Sequence, residues 1–359
     1  MTNDLPPELL PRLLVDPRSM AALASVNKHY NRAVNPILYR NVSLSGSRAL
    51  TCFSRTVVTG RPVLREYPIS LHLQDIYSTD ALPLELQSVI KELLMHVPNI
   101  ANLSLTFEPG TIINLIRVPQ FSFKLRRLEL VPPIEWELFF DFLKTQPQIE
   151  HLTLWGEPND QNFYTSPHWA RPYCSLDPQI LPNLKTVWSD RVGACLFVPY
   201  RPVTSITIFN SQKNFRFHRE LANASAPLEY LSENVHVQDI PWERDIVEWC
   251  FPTLGFCHQS LREYSLYITF GSYYENNQSL LESLKLGSHP SYPEFAKIRE
   301  CLSAFSRLRK FKLHVEWDRR HDLSPEFFSL IPELSQLELW NKSCPTLEEV
   351  DVFGFILKS

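Results

Sequence analysis

Cysteine and histidine are the residue types here that could perform chemistry, and Cys257 and His258 stand side by side in the sequence. Adjacent residues are the wrong arrangement for two ligands of one tetrahedral zinc ion. None of the eleven histidines has a Cys or His partner at metal-ligand spacing. We therefore interpret Cys257 as a core cysteine beside a polar histidine, and we expect no metal site.

Motifs that mark common enzyme classes are absent from the sequence. It contains no Gly-x-Ser-x-Gly, no His-Glu-x-x-His, no Gly-x-x-x-x-Gly-Lys and no dinucleotide glycine fingerprint. Only 9 glycines are present, which disfavours loops that hold phosphate through the backbone. We expect a protein that is not an enzyme, with no catalytic residues and no cofactor. A hydrolase stays open as an alternative, but it needs three polar residues gathered in one pocket.

The amino-acid composition narrows the expected cellular compartment of the protein and the classes of partner that it could bind. Lys+Arg 35 against Asp+Glu 39 gives a net charge of −4, which does not favour binding to nucleic acid or to an anionic membrane. The 7 cysteines are scattered and never spaced as C-x-x-C, so we expect buried thiols in a reducing compartment. No basic-then-apolar leader begins the sequence, and no run of eighteen apolar residues occurs. The expected location is cytoplasmic or nuclear, and the expected partner is protein.

A pattern of apolar residues with the spacing apolar-x-x-apolar-x-apolar recurs along most of the chain, complete in most copies and shortened in two. In several copies a proline precedes the first apolar residue by two positions, and the first three copies begin 25 and 24 residues apart, the period of a leucine-rich repeat. The copies are Ile100–Leu105, Leu125–Leu130, Ile149–Leu154, Leu184–Val187, Val203–Ile208, Leu228–Leu231, Leu261–Leu266, Leu308–Leu313, Leu334–Leu339 and Leu347–Val352.

Helical patterns separate several of these copies, for example Leu84–Leu94 and Ile134–Leu143. Strand, turn, helix and turn at this period predict an α/β solenoid with a parallel sheet on the concave face and helices on the convex face. The alternative is a compact α/β domain whose strands share a Leu-x-Leu pattern. The repeats are irregular: long gaps predict projecting loops at Tyr164–Leu176 and Thr269–Pro293. The gap of 13 residues before Leu347 predicts a last strand that is reached through a loop and closes the array.

Residues between and after the apolar positions of such strands face away from the core. Six of these outward positions carry large aromatic side chains, which have no structural role there and which protein interfaces favour. We predict a target-binding strip on the concave face, with mutual stacking or cover by the loops as the alternative. Its residues are Trp155, Trp188, Phe209, Tyr267, Trp340 and Phe353.

The first forty-odd residues follow a different, helical pattern. Leu9, Leu10, Leu13 and Leu14 recur at helical spacing behind two prolines. A second helical run follows Asp16-Pro17, and a third, Lys28–Val34, is expected to end at Asn35-Pro36. Three short helices cannot bury their apolar faces alone, so this head requires a partner or the rest of the chain.

Three segments of the head resemble an F-box: Leu5-Pro6-x-Glu8-Leu9-Leu10, then Leu23-x-x-Val26-Asn27-Lys28-x-Tyr30, then Pro36-x-Leu38-Tyr39-Arg40-x-Val42-x-Leu44. The last segment is similar to F-box proteins with leucine-rich tails that are abundant in fungi. The resemblance implies a domain at 1–44 that binds a SKP-family adaptor, and through it a cullin. The residues that it assigns to adaptor binding are Leu5, Pro6, Leu9, Leu10, Leu14, Leu23, Val26 and Tyr30.

The resulting expectation is an F-box-like head at 1–44 and a leucine-rich-repeat-like solenoid at 45–359. It implies the substrate-recognition subunit of an SCF-type ubiquitin ligase, which holds an unknown target protein on its repeats. The alternative is a leucine-rich-repeat scaffold unconnected to ubiquitination, in which the head is only an N-terminal cap.

Overall fold

The computed structural model describes residues 17–74, 81–117, 121–131, 135–155, 176–209, 221–237, 254–255, 257–270, 292–316, 336–352 and 354–359. The chain forms two compact units. Unit 1 is Met1–Gly156 with Gln179–Asn183, and unit 2 is Glu157–Pro178 with Leu184–Ser359.

Unit 1 alternates helices with parallel strands. Strands β1 to β5 pair in chain order, each parallel to the next. Its elements are α1 Pro17–Val26, α2 Lys28–Leu38, β1 Asn41–Ser45, α3 Ser47–Thr59, a 3-10 turn Pro62–Arg65, β2 Ser70–Gln74, α4 Leu84–His96, β3 Asn102–Thr106, α5 Pro109–Ile116, β4 Arg127–Leu130, α6 Trp136–Lys144 and β5 His151–Leu154.

Unit 2 continues the same alternation. Strands β6 to β11 pair in parallel and in chain order, and β12 turns back to pair antiparallel with β11. Its elements are β6 Thr186–Ser189, α7 Arg191–Phe197, β7 Ser205–Ile208, β8 Tyr230–Val237, β9 Glu263–Phe270, α8 Tyr292–Leu302, β10 Lys310–Glu316, α9 Leu337–Ser343, β11 Glu349–Val352 and β12 Phe355–Lys358.

One backbone contact repeats from strand to strand. Before nine of the strands, the carbonyl of the preceding residue accepts hydrogen bonds from two successive amides of the next repeat. The Arg40 carbonyl accepts from Ile69 and Ser70 at 2.9 and 3.0 Å, and the Arg262 carbonyl accepts from Arg309 and Lys310 at 2.8 and 3.0 Å. The other carbonyls in this arrangement are those of Ile69, Ala101, Arg126, Lys185, Thr204, Glu229 and Arg309. We refer to these as the shared carbonyls.

The predicted apolar positions form the core of each unit. In unit 1, Leu71, Leu103, Leu128 and Leu152 pair in one row across the strands, and all four are buried. Truncating such a leucine to alanine costs about 2–5 kcal/mol. The coarse prediction of an α/β fold with a mostly parallel sheet is confirmed, as are the helices predicted at Leu84–Leu94 and Ile134–Leu143. The sequence assigned residues 41–44 to the helical head, and the structure shows that they belong to β1, the first strand of the sheet.

The strand predicted at Leu334–Leu339 is wrong, because Leu337–Ser343 is helix α9. Residues 337 and 340 share one face of a helix as readily as they fit the repeat pattern, and this segment has no β-branched residue. Trp340 is fully buried, with its ring centroid 5.7 Å from that of Phe311. The helix fills the gap between β10 and β11, and β12 follows, so β11 is neither reached through a loop alone nor the last strand.

The expected helix end at Asn35-Pro36 is also wrong, because α2 continues through Pro36 to Leu38. Proline removes one backbone donor, yet the Tyr39 amide still donates to the Asn35 carbonyl at 3.0 Å. Ile37 and Leu38 pack against the buried cluster of the head, which compensates for the lost bond. Within the described residues, no helix has the length and apolar content to cross a membrane.

A fully buried arginine, Arg201, joins two segments of unit 2, Leu176–Asp177 and the chain between α7 and β7. Its guanidinium donates to the carbonyls of Pro199 at 2.9 Å, Asp177 at 2.8 Å and Leu176 at 3.2 Å. Burial lowers the pKa of Arg201 to about 10, and the nearby charge of Asp177 opposes that shift. The guanidinium stays charged at neutral pH, so its hydrogen bonds are charge-assisted.

We expect Arg201→Met to destabilise the protein by about 3 kcal/mol or more, because three carbonyls, two of them in buried hydrogen bonds, lose their donor. Urea unfolding measures the loss. Arg61→Met, at an exposed position, is the control and should change the free energy of unfolding by less than about 0.5 kcal/mol. Equal stability of the two variants would contradict a structural role for Arg201.

Candidate functional site

Alternate residues on the strands of unit 2 face away from the hydrophobic core. Not all of them are exposed, because Ser232, Ser265 and Asp351 are themselves buried. We call the part of this surface on β8 to β11 the outer face of unit 2. The paired register places Tyr230, Glu263, Lys310 and Glu349 in one row, Ser232, Ser265, Lys312 and Asp351 in the next, and Tyr267 beside His314 in a third.

Tyr267, His314 and Asp351 form a connected group on this face. The rings of Tyr267 and His314 stack across the two strands, with centroids 5.0 Å apart and planes 12° from parallel. The Nε2 atom of His314 lies 3.1 Å from Oδ2 of Asp351. The Oδ1 atom of Asp351 accepts from the Gly354 amide at 3.1 Å, so the turn into β12 holds the carboxylate that faces the histidine.

Lys312 and Glu263 form an ion pair beside this group, with Nζ 3.1 Å from Oε1. Burial alone would lower the pKa of Lys312, but the hydrogen bond to Glu263 and nearby negative charges raise it overall. Partial burial raises the pKa of Tyr267, as do Tyr230, Asp351 and Glu263, whereas Lys312 acts in the opposite direction. At neutral pH the face therefore carries a protonated tyrosine among paired charges.

Glu349 lies at the edge of the same face and pairs with Lys358 of β12 at 3.1 Å. The pKa of Glu349 is lowered, and this hydrogen bond is the main cause. Charges of neighbouring strands are thus paired on the outer face. Such partly exposed pairs orient side chains and contribute little free energy.

The aromatic residues that were predicted to form one target-binding strip lie only partly close to one another. Trp188, on β6, is 40% exposed and Tyr267, on β9, is 37% exposed, and three strand spacings of about 4.8 Å separate them. Phe209 is half-buried at the end of β7, next to the strand of Trp188, and its amide donates to the Ser189 carbonyl at 3.1 Å.

Trp155 lies directly after β5 in unit 1. Its indole Nε1 donates to Oε1 of Glu129 at 2.6 Å, and its amide donates to the Leu130 carbonyl at 2.8 Å. The side chain is 37% exposed, so Trp155 is an outward aromatic residue, as predicted, with a fixed orientation.

The sequence placed Trp340 wrongly, since it is a core residue of a helix and cannot belong to an exposed strip. Phe353 lies outside the described residues. His314 and Asp351 occupy outward positions of the repeat pattern, but they were not selected as site residues. The alternation of apolar and polar residues along β10 and β11 indicates that both side chains face outward. It does not show that they touch, because their contact depends on the register between those two strands.

The head supplies the second candidate surface. Helices α1 and α2 enclose a small core of Met20, Ala24 and Val34. Leu23 is half-buried against this core, Tyr30 is half-buried, and Val26 is 66% exposed at the end of α1. The other residues assigned to adaptor binding, Leu5, Pro6, Leu9, Leu10 and Leu14, lie outside the described residues.

Three asparagines fix the junction of the two helices. Asn27 caps α2 by accepting from the Tyr30 amide at 2.9 Å. Asn31 donates to the Ala24 carbonyl near the end of α1 at 3.2 Å, and Asn35 donates to the side-chain oxygen of Asn31 at 3.0 Å. The orientation of Val26 and Tyr30 relative to each other follows from this junction.

Cys257 lies in a buried polar cluster with Glu233 and Tyr264. The Tyr264 hydroxyl donates to Glu233 at 3.0 Å, and the Cys257 thiol donates to the Leu254 carbonyl at 3.2 Å. Burial, with the charge of Glu233, raises the pKa of Cys257 to about 12, so the thiol is protonated at neutral pH. The ring of His258 packs edge-on against Phe305 at 4.6 Å.

The expectation of buried thiols holds for Cys195, Cys257 and Cys344, is only half met at Cys301, and is wrong for Cys52, which is exposed on α3. Cys174 and Cys250 lie outside the described residues. In the part of the chain that the structure describes, no three His, Cys, Asp or Glu side chains are grouped so that they could hold a metal ion.

Comparison with known proteins finds no matching family model, and no curated protein matches the chain in sequence. Any assignment of function therefore depends on the residues themselves.

We expect Lys312→Met to raise the pKa of Tyr267 further, because Lys312 is the positive charge that lowers it. It should also destabilise the protein by about 0.5–1 kcal/mol, since Glu263 loses its partner.

The pKa of Tyr267 is raised in the folded protein, so folding favours the protonated tyrosine. The contribution of Tyr267 to the free energy of unfolding is therefore present at lower pH and is lost as pH rises through that pKa. An NMR titration of the Tyr267 ring checks the shift.

Lys310→Met is the matched control, two residues away on the same face of β10. Lys310 forms no ion pair within the described residues, so its removal should leave the pKa of Tyr267 almost unchanged. A Tyr267 titration that both variants shift equally would contradict the specific effect of Lys312.

Proposed function

We propose that this protein is the substrate-recognition subunit of an SCF-type, cullin-based ubiquitin ligase. In this proposal the F-box-like head binds a SKP-family adaptor, and an irregular leucine-rich-repeat solenoid holds a target protein. The protein itself performs no chemistry. It raises the effective concentration of the target near a separate ubiquitin-transferring enzyme.

The observation that carries this proposal is the surface of the head. Only three residues of α1 and α2 form its described core, and Val26 remains two-thirds exposed beside the half-buried Leu23 and Tyr30. These are the three described positions that the F-box resemblance assigns to the adaptor. An apolar surface on a small helical unit is stabilised when a partner covers it.

The outer face of unit 2 supports the second half of the proposal. It combines a half-exposed tyrosine, a stacked histidine and ion pairs whose geometry is fixed by neighbouring strands. An aromatic group among oriented polar groups is typical of the centre of a protein interface. Trp188 and, in unit 1, Trp155 extend the set of outward aromatic residues.

We expect Val26→Lys to weaken adaptor binding at least about tenfold, because a charged group would have to be buried in the contact. Lysine is favourable at the end of a helix, so α1 should remain folded. Titration calorimetry of the full-length protein with a purified SKP-family adaptor measures the affinity.

Met95→Lys provides a matched control, since Met95 is also an exposed apolar residue in the last turn of a helix, α4. It should leave the affinity unchanged. If the unmodified protein has no affinity for the adaptor at micromolar concentration, the ligase proposal is wrong.

The second candidate is a leucine-rich-repeat scaffold outside the ubiquitin system, with the head as a cap. Continuity between head and sheet favours it: β1 follows α2 after two residues, and Tyr39 stacks on Phe53 of α3 with ring centroids 5.9 Å apart. The same adaptor titration separates the two functions, because a cap needs no adaptor.

We expect Tyr267→Ala to lower the recovery of a bound target about tenfold in affinity capture, because it removes the aromatic group and the partner of the His314 ring. Tyr200→Ala, at an exposed tyrosine outside the strands, is the control. Quantitative mass spectrometry compares the proteins that each variant retains. If both variants retain the same proteins in equal amounts, the outer face of unit 2 is not the target-binding surface.

A further inference from the structure

One segment of unit 1 carries basic residues and no acidic ones. Residues 17–65, which form α1, α2, β1, α3 and the 3-10 turn, contain 8 of the 35 Lys and Arg residues and none of the 39 Asp and Glu residues. We refer to them as the basic segment. The rest of the chain holds 35 less 8, or 27, basic residues against 39 acidic ones, so the net charge of −4 averages two parts of opposite sign. Such charge asymmetry is typical of proteins that bind a polyanion.

The charges of the basic segment lie at its surface and are not neutralised there. Seven of the eight basic side chains are exposed. The exception is Arg65, which is half-buried and donates to the Val57 and Val58 carbonyls in the last turn of α3. None of the eight forms an ion pair with a residue that the structure describes. The segment is therefore a surface of uncompensated positive charge.

Three of these residues stand where they weaken their own helices. Helices α1, α2 and α3 carry Arg18, Lys28 and Arg48 in their first turns and have no acidic residue there. The N-terminus is the positive end of the helix dipole, so a cation in the first turn is unfavourable.

The five other helices whose first turns the structure describes have the opposite arrangement. Helices α4, α6 and α9 carry Glu85, Glu137 and Glu338 in their first turns. In α5 and α7, the cap residues Glu108 and Asp190 accept hydrogen bonds from backbone amides of the first turn. A reversal confined to three successive helices indicates that their charges serve a contact rather than the fold.

Helix α3 presents its basic residues as a stripe. Arg48 and Arg55 are seven residues apart, which places them on one face of the helix and about 10 Å apart along its axis. Arg61 follows two residues after the helix ends. The hydroxyls of Thr51 and Thr59 on this face donate to carbonyls of the preceding turn at 2.8 and 2.7 Å. The guanidinium groups are therefore the strong donors that the stripe offers to a ligand.

The residue types of the segment suit a phosphate backbone. Seven of the eight basic residues are arginine, whose planar guanidinium binds phosphate oxygens in pairs. Interfaces with nucleic acid are also more positively charged than interfaces between proteins. A membrane-binding helix would carry Trp, Phe or Leu beside its basic residues, and the exposed stripe of α3 has none of these.

Double-stranded DNA fits better than the other nucleic acids. Single strands bind by stacking their bases on exposed aromatic rings, whereas every Tyr and Phe ring of the basic segment is half-buried. The narrow minor groove of DNA concentrates negative potential that attracts arginine, whereas the minor groove of duplex RNA is wide and shallow.

We propose that the basic segment binds the phosphate backbone of double-stranded DNA without sequence preference, and that Arg48, Arg55 and Arg61 contact phosphate groups. Phosphate contacts position a protein on the duplex and carry no sequence information directly. These arginines are not among the residues assigned to the adaptor, so DNA binding does not depend on the proposed ligase function.

The test is fluorescence anisotropy of the full-length protein with a short labelled DNA duplex at several salt concentrations. We expect saturable binding whose logarithmic affinity falls with the logarithm of salt concentration with a slope of about −3, since each of three phosphate contacts contributes about −0.9. A duplex of unrelated sequence should bind equally, and a single strand or an RNA duplex more weakly. No binding at low salt, a slope near zero, or tighter binding of the single strand or the RNA duplex would overturn the proposal.

Two competitors separate DNA from other anionic surfaces. They are vesicles of phosphatidylcholine with phosphatidylserine, and a polyglutamate peptide. At equal concentrations of negative charge, we expect neither to displace the DNA duplex. Displacement by the vesicles assigns the basic segment to a membrane and displacement by the peptide assigns it to an acidic protein, and either result overturns DNA as the ligand.

Three variants locate the contact. Arg55→Gln should lower the DNA affinity about fivefold and make the salt slope shallower by about 1. Arg48→Glu should lower the affinity further yet raise the urea midpoint of unfolding, because a carboxylate suits the first turn of α3. Arg307→Gln, at an exposed arginine of unit 2, is the charge-matched control and should leave the affinity unchanged. Equal losses from Arg55→Gln and Arg307→Gln, or a lower urea midpoint for Arg48→Glu, would contradict a DNA contact on α3.

Discussion

The shared carbonyls are the interaction on which the rest of each unit depends. Each takes two successive amides from the next repeat, so the next strand can begin at only one register. A shift of one residue would exchange the buried and outward sides of that strand. The stacking of Tyr267 on His314 and the neighbouring positions of Arg262 and Arg309 are consequences of this single backbone contact.

Much of the fold could be predicted because the repeat pattern encodes burial directly. Leu103, Leu105, Leu128 and Leu130 alternate with polar residues, and each is buried where the pattern places it. Arg201 and Glu233 could not be found in this way. Both are charged residues in the core, and Glu233 occupies an inward position where the pattern expects a leucine. Their partners come from other strands and loops, which no local pattern identifies.

The candidate site was predicted only in part, for two physical reasons. Leu337 and Trp340 satisfy helical spacing and the repeat spacing alike, so the sequence could not separate a buried helix from a strand with an outward tryptophan. His314 and Asp351 were visible as outward positions, but their contact needs the register of β10 against β11, with α9 between them in the chain.

The antiparallel direction of β12 has a consequence for how such an array changes through gene duplication. Between β6 and β11 every strand accepts a parallel neighbour through an equivalent contact, so a whole repeat can be copied or lost there without altering the register on either side. A further repeat placed beyond β12 and running parallel to β11 would have to pair antiparallel with β12, so the contact made by the shared carbonyls would not continue there. Growth of the sheet in unit 2 is therefore expected from its interior rather than from the edge formed by β12.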